Sequence, residues 1–537
     1  MNASERGEIA VAEVGKYDIV IVGMGPVGAT LACLCSRAGM SVAIVDRELG
    51  IFDKPRAIVL DHEALRVLQF CGMEAAFFDT VTPHTGTDFI GVDGQLIKLF
   101  DPKAPPFELG WAPNVMFIQP ELEEALARAM DRCQTLTAMR GVNITSVTQD
   151  ADGAMVNGTD REGAEVSFRA SWVVGADGAN SMVRETAGLA MEGMDFAEWW
   201  VVIDAWLTGE IDLPKKTTQY CQPKRPATYV VGPRNLRRWE IKLLPDEDPA
   251  SYRDESRVSE LLSQFADVDA LSIWRSAVYR FSAAVADGWR NGRLLIAGDA
   301  AHTTPPFLAQ GLCAGMRDAG NLAWKLAQVV LRGADPALLD TYEVERKPHV
   351  ARIIHHAKEF GLIIGELDPA AAAERDAVLG EQLRTGAAPT ERQAFVPRLA
   401  GGMLDNLSAA AGDLFVQPRI RGEDGDASLM DDVVPPEFLV VSRDPAMLEL
   451  GTDLAAAWAA IGGVLLLIGD GAAPPGVGSL ADAEGLIQTW LDRNDATAAI
   501  VRPDRYVYGA ASEVSEIRRM ARDIVAMHRP ADTAQAA

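Results

Sequence analysis

Six residues near the N-terminus, Gly23-Met24-Gly25-Pro26-Val27-Gly28, constrain what this chain can fold into more than any other stretch. They follow an apolar run, Tyr17-Asp18-Ile19-Val20-Ile21-Val22, and open a helical segment that leads to a second strand ending at Asp46. Strand, glycine-rich turn, helix, and strand with a terminal acid together make the dinucleotide-binding fingerprint. Each part has a physical reason. Gly23 permits the tight turn, Gly25 lets a pyrophosphate approach the backbone, and Gly28 allows helix and strand to pack closely. The helix start offers free N–H groups and a partial positive charge to phosphates. Asp46 is placed to accept a hydrogen bond from a ribose hydroxyl.

Bulk properties narrow the function classes. At 537 residues the chain has room for about three domains, and its 48% hydrophobic and 23% charged residues are ordinary for a globular protein. A net charge of -26 argues against nucleic acid or an anionic membrane as partner. Glu5, Glu8 and Glu13 leave no apolar core for a secretory leader. The apolar run Leu454 to Gly469 is broken by Gly462-Gly463 and is too short to span a bilayer. Cys33 and Cys35, two apart on a helix, point to different sides and cannot pair as metal ligands, so no metal site is expected. Scattered cysteines without an export signal read as reduced thiols and a cytoplasmic location.

Three later stretches add chemistry. Trp172-Val173-Val174-Gly175-Ala176-Asp177-Gly178 is a buried strand ending in a glycine-flanked acid, with Asp177 placed to bind a hydroxyl or organise a loop. Segments 83–113 and 191–280 read as sheet, the second rich in aromatics, with Arg225 and Arg238 as candidates to hold an acidic substrate. Arg293-Leu294-Leu295-Ile296-Ala297-Gly298-Asp299-Ala300-Ala301-His302 is another buried strand ending in Gly-Asp, followed by Pro305-Pro306 and a helix that begins near Gly311. Asp299 is suited to a polyol chain.

In combination these stretches resemble the single-component FAD monooxygenases of the p-hydroxybenzoate hydroxylase fold. The likeness covers about residues 17–350. Within that group it is strongest to hydroxylases of 3-(3-hydroxyphenyl)propanoate, through Pro55-Arg56-Ala57, Phe117-Ile118-Gln119-Pro120 and Gly315-Met316-Arg317-Asp318-Ala319. The resemblance implies an α/β fold: a Rossmann-like FAD-binding domain interleaved with a β-sheet substrate domain over residues 1–364, a linker at 365–394, and a thioredoxin-like domain at 395–537. That last domain has no redox role, since no cysteine follows Cys313. Gly469-Asp470-Gly471 hints at a second dinucleotide turn, but Pro474 at its third position argues against it.

The resemblance further implies that Gly23, Gly25, Gly28, Asp46 and Arg47 hold the ADP half of FAD and that Arg56, Gln119 and Asp177 line or support it. Asp299, Pro306, Gly311, Leu312 and Cys313 would lie toward the flavin. NADH or NADPH would dock only transiently, because no second complete fingerprint exists. The implied activity is hydroxylation of a phenol ortho to its hydroxyl through a flavin C4a-hydroperoxide formed with O2, in aromatic catabolism. 3-(3-Hydroxyphenyl)propanoate or a similar phenol is the implied substrate, and another phenol or a polyketide the alternative. His62, Tyr220 and Tyr229 are candidates to accept the phenol proton and Arg225 to anchor a carboxylate. A halogenase is disfavoured by the absence of a Trp-x-Trp-x-Ile-Pro segment, and a homodimer is left open. The rival of a different class is a non-catalytic FAD-binding protein. Two departures from the family pattern stand beside the expected flavin: Ala309 where glycine is usual, and Cys313 where asparagine is usual.

Overall fold

The fingerprint strand extends over Ala12–Val22 and lies in the middle of an eight-stranded sheet. On one side it pairs in parallel with Val42–Asp46 and then Leu136–Arg140. On the other it pairs with Glu165–Gly175 and then Leu294–Ile296, also in parallel. Strands buried on both faces need continuous apolar sequence, and Ile19, Val20, Ile21, Val173, Val174, Leu295 and Ile296 supply it with no exposed surface. The computed structural model describes residues 12–422, 425–469 and 473–528. Glu5, Glu8, Asp470 and Gly471 lie outside the described residues.

Two helices pack on the sheet and on each other. Pro26–Arg37 starts with proline at its first turn, where the missing N–H costs nothing. Gly311–Arg332 runs 22 residues and stops at Gly333, whose φ of +67° ends the helix in the left-handed region. Among the described residues no helix is long and apolar enough to cross a membrane, and no group of three or more His, Cys, Asp or Glu is set to hold a metal ion.

A second eight-stranded sheet is built from chain segments on both sides of the first. Its order is His302–Thr303, Leu271–Ala286, Met191–Leu207, Leu236–Lys242, Ala227–Val231, Thr217–Tyr220, Thr87–Ile90, Leu96–Phe100. The second sheet is thus interleaved in sequence with the first, in keeping with the α/β reading. Segment 365–394, expected as a linker, instead holds the helix Pro369–Thr385, capped by Asp368. Its Ala-, Glu- and Arg-rich composition is strongly helix-forming. It docks on the second sheet through Asp376, which accepts from Val92 N at 2.7 Å, and Arg375, which donates to the Cys221 carbonyl at 2.7 Å.

The C-terminal part folds around a five-stranded mixed sheet with Leu439–Ser442 at its centre. It meets the first domain through buried charge. Asp431 accepts from Arg66 at 2.7 Å and from Arg505 at 2.8 Å. Glu345 is ringed by Arg502 at 2.7 Å, Lys325 at 2.8 Å and Asn321 at 2.7 Å. Tyr506 donates to Glu63 at 2.5 Å. The stretch Arg502-Pro503-Asp504-Arg505-Tyr506 is therefore the seam between the two parts.

Burial alone would raise the Glu345 carboxyl, but Arg502 and Lys325 override it and hold it down to about 2. Asp431 is likewise held below the ordinary carboxylate range, burial opposing and Arg66 and Arg505 prevailing. Carboxyls depressed in the folded state stabilise it above their unfolded pKa, and that stability is lost as pH falls through the folded value. Denaturant midpoints should therefore decline from the ordinary carboxylate range down toward pH 2, the Glu345→Gln variant declining less steeply than the native chain. At neutral pH, Asp431→Asn strands two buried guanidinium groups and should cost roughly 3–5 kcal/mol in equilibrium unfolding.

Candidate functional site

The carboxyl ends of the parallel strands open onto one crevice, as in other open α/β sheets. Gly23, at φ +104°, turns so closely under the next strand that a Cβ would lie 2.3 Å from the Ala176 carbonyl oxygen. A Cβ on Gly28 would fall 2.0 Å from the Gly23 carbonyl oxygen. Gly25 differs: a Cβ there would meet nothing within 4 Å. Gly25 therefore borders open space that a ligand can enter, whereas Gly23 and Gly28 serve the fold itself.

Asp46 sits at the rim and accepts from Met24 N at 2.6 Å and Glu48 N at 2.8 Å. It fixes the turn while each oxygen keeps a lone pair for a hydroxyl. Arg47 is exposed and leans on Glu48 at 3.4 Å. Gln119 is buried and accepts from Arg56 N at 3.1 Å and Ala57 N at 2.7 Å, which pins the loop that presents the exposed Arg56 side chain. Asp177 accepts from Met182 N at 2.8 Å and Val183 N at 3.2 Å, so its role is to organise its own loop.

Asp299 is exposed, yet the surrounding walls raise its carboxyl above the usual range. The turn that carries it is locked from below by Asp318, which accepts from Gly298 N at 3.1 Å and pairs with His302 at 2.7 Å and Arg346 at 3.0 Å. Beyond it the half-exposed Pro306 opens a single 3-10 turn that ends at Ala309, φ +52° and ψ +36°. That left-handed position favours glycine, so the alanine sits there under strain. Gly311 and Leu312 follow at the helix start, half-exposed. Cys313 turns inward, fully buried, with its thiol on the Val59 and Ala309 carbonyls.

The chemistry of this donor set fits a hydroxylated diphosphate. Two helices, Pro26–Arg37 and Gly311–Arg332, begin without any side-chain cap, leaving backbone N–H groups free for anionic ligand atoms. Asp46 and Asp299 supply acceptors for hydroxyls, and Gly25 leaves the approach open.

The second sheet closes the far side, and its two faces differ. One face carries Val201, Ile203, Tyr229, Trp239 and Ile241 and is covered by Tyr252 and the helix Glu255–Leu262. The other carries Asp204, Arg238, Glu240 and Arg275 and looks toward the cofactor side. The contacts establish this: Arg238 donates to the Arg56 carbonyl at 2.7 Å and Arg275 to the Pro55 carbonyl at 2.5 Å. Phe307, from the turn after Asp299, packs on Trp200 at a centroid distance of 5.1 Å, while Val230 and Leu236 pack with Ile58, Met116 and Ile118.

Strand parity decides the fate of several expected residues. Tyr220 and Tyr229 lie on the covered face, against Phe265 and Trp239 respectively, and so are turned away from the cofactor side. Arg225 is clamped by Glu247 through two hydrogen bonds of 2.7 and 2.9 Å, leaving no fork for a substrate carboxylate. Arg238 forms its bidentate pair internally, with Asp204 at 2.7 and 3.2 Å. His62 begins the helix behind Gly311; burial, with Arg317 adding to it and Asp61 opposing, lowers it to about 4, so it is a weak proton acceptor near neutrality. Glu240, Asp204, Arg275 and Tyr279 were not anticipated. The signal existed in the alternation Arg238-x-Glu240-x-Lys242 within a strand whose intervening residues are apolar.

Residues 16–357 match the family described as FAD binding domain, and residues 412–526 match the HcaD C-terminal domain. The chain is 35% identical to a probable NADH-specific resorcinol 4-hydroxylase of Rhodococcus jostii, over 96% of this chain and 95% of that protein. It is 31% identical to a 3-(3-hydroxy-phenyl)propionate/3-hydroxycinnamic acid hydroxylase of Comamonas testosteroni, over 99% and 100%. Among solved structures, the flavin-dependent monooxygenase PieE in complex with FAD and substrate shares the fold, with a TM-score of 0.77 at 22% identity, covering 97% of this chain and all of that one.

The two kinds of glycine separate binding from folding. Gly25→Val should leave the thermal unfolding of the cofactor-free protein within a few degrees of the native chain but abolish co-purifying flavin absorbance. Gly28→Ala should lower the unfolding temperature itself, because its methyl group has no place to go.

Proposed function

The chain belongs to the FAD-binding monooxygenases, and from that premise we propose that it hydroxylates a phenolic ring ortho to its hydroxyl, using NADH or NADPH and dioxygen. The observation that carries this reading is the meeting of two compartments at one loop. The crevice that fits the diphosphate and the polar face of the second sheet converge on Pro305 to Gln310. The turn Gly23 to Gly28, Asp46, Asp299 and the helix start at Gly311 would hold FAD, with Arg56 and Gln119 along it. When bound, FAD supplies the hydride acceptance and oxygen transfer that side chains cannot.

The protein's own work is to orient and exclude. The start of the helix Gly311–Arg332 directs a partial positive charge toward the place where the bound cofactor gains negative charge. Phe307, Trp200 and Phe281 form an apolar wall that keeps water from the reacting ring, with Phe307 6.0 Å from Phe281. Phenols are weakly acidic, so the ring must be held where its hydroxyl can lose a proton. NADH is favoured as donor by the name of the Rhodococcus relative. Six free thiols fit a reducing cytoplasm.

Mixing the anaerobic yellow protein with NADH in a stopped-flow instrument tests this reading. A phenol from a panel containing resorcinol and 3-(3-hydroxyphenyl)propanoate should accelerate flavin bleaching at least about tenfold, a ΔΔG‡ of about 1.4 kcal/mol. Admission of oxygen should then give a dihydroxylated or trihydroxylated ring. Bleaching that no phenol accelerates, with no ring oxidation, would overturn it.

A further inference from the structure

Glu240 stands in the wall of the proposed substrate compartment without a hydrogen-bond donor, its nearest charge being Arg238 at 3.8 Å. Only 7% of its surface is exposed, yet among the described residues no hydrogen-bond donor reaches its carboxylate. Arg238 Nη1 is 3.8 Å away and already donates to the Arg56 carbonyl. Neither carboxylate oxygen is sealed from solvent-sized contact. Burial pushes Glu240 up to about 7, with Arg238 opposing and Asp204 adding to the rise. An acid that is itself largely buried, with oxygens still reachable and no protein donor, is open to a donor carried by a ligand.

The other charged groups on this face are matched. On the same strand Lys242 donates to Glu198 at 2.7 Å and to the Gly365 carbonyl at 2.8 Å. On the neighbouring strand Asp204 holds Arg238 through two bonds, with Arg275 at 3.6 Å. Arg275 in turn donates to the Pro55 carbonyl and to Tyr279. On the far side the nearest strands present Thr228 and Gln219, bonded to each other at 2.5 Å and uncharged. At the sheet edge Lys98 donates to the Pro389 carbonyl at 3.3 Å, and His84, lowered by burial and Arg392 to about 3, is neutral. Across the gap the loop from Pro305 to Gln310 brings no ionisable side chain, and Arg56 is exposed. Among the groups named, the sheet wall therefore has an acceptor to offer while its own cations, Arg238, Arg275 and Lys242, are already engaged.

We propose that Glu240 accepts a hydrogen bond from a second hydroxyl on the substrate, so that the compartment selects an uncharged dihydroxybenzene over a phenol that carries a carboxylate. The proposal rests on the phenol-hydroxylase reading above. A hydroxyl supplies the donor that the wall lacks, in a charge-assisted bond. A substrate carboxylate would meet Glu240 and Asp204 on a wall whose own guanidinium groups, Arg238 and Arg275, are already engaged, a like-charge contact that discriminates by repulsion.

Steady-state hydroxylation of resorcinol and of 3-(3-hydroxyphenyl)propanoate by the holoenzyme, with Glu240→Gln and Glu240→Asp alongside, tests this. The native enzyme should favour resorcinol in kcat/KM. Glu240→Gln should raise KM for resorcinol about tenfold or more, the scale of one hydrogen bond to a charged group. It should narrow the preference against the carboxylate, and Glu240→Asp should restore part of it. FAD content and the rate of flavin reduction by NADH at saturating resorcinol should stay within about twofold, which reports an intact fold. The native enzyme alone gives an independent readout: KM for the carboxylate substrate should fall as pH is lowered through about 7, where Glu240 takes up its proton, with no such fall for resorcinol. A native preference for the carboxylate substrate, an unchanged substrate ratio in Glu240→Gln, or a pH-independent KM would overturn the Glu240 assignment while leaving the hydroxylase reading in place. Failure of the native enzyme to oxidise either ring would bring down both.

Discussion

Arg317 is the group on which most of the architecture converges. It lies one and a half turns into the helix that starts at Gly311, is 3% exposed, and pairs with both Asp61 and Glu63 while donating to Gln310 at 2.9 Å. A buried guanidinium must have its charge and its five N–H groups answered. Answering them draws together the helix start, the strand Val59–Asp61, the helix His62–Phe70 and, through Glu63 and Tyr506, the C-terminal part. The residue never needs to touch a ligand to matter. It sets the direction in which the helix start faces the crevice.

The second sheet has a different character, with one face apolar and the other carrying charged side chains. Its covered face is apolar and packed beneath the helix Glu255–Leu262, which buries the middle of that side. Its other face carries an ion pair, a clamped arginine and a lone acid, all within a compartment whose remaining wall is aromatic. Charges in such surroundings act over longer effective range than in water.

The cofactor crevice was legible in the sequence because its requirements are local. A tight turn needs glycine whatever the rest of the chain does, and Gly23, Gly28 and the acids at strand ends declare themselves by spacing. The substrate wall was not legible to the same degree. Alternation at residues 236–242 separates two faces but does not say which one looks at the cofactor, and Tyr220 and Tyr229 fall on the other one. Arg225 and Arg238 looked like anchors because their partners, Glu247 and Asp204, are 22 and 34 residues away in sequence. The helix inside segment 365–394 escaped notice for a related reason. Its composition is that of a solvated tether and of a helix alike, and only the docking of Asp376 on Val92 distinguishes them. The Arg-Pro-Asp-Arg-Tyr stretch stood out as a pattern, but its role as a seam depends on contacts with residues 63, 321 and 345, which no local rule supplies.

The seam at Arg502 to Tyr506 also imposes an order on biosynthesis. Glu63 and Tyr506 are 443 residues apart, so most of the chain leaves the ribosome before that acid meets its tyrosine. Until then the nascent cofactor domain carries Arg66, Lys325 and Glu345 with part of their counter-charge still unmade. Domains that emerge first generally fold first, but this one reaches its electrostatic balance only after the residues of the seam have been made. A chain lacking the residues after about 430 would keep the glycine-rich turn but leave Arg66 and Glu63 without Asp431 and Tyr506, their partners across the seam.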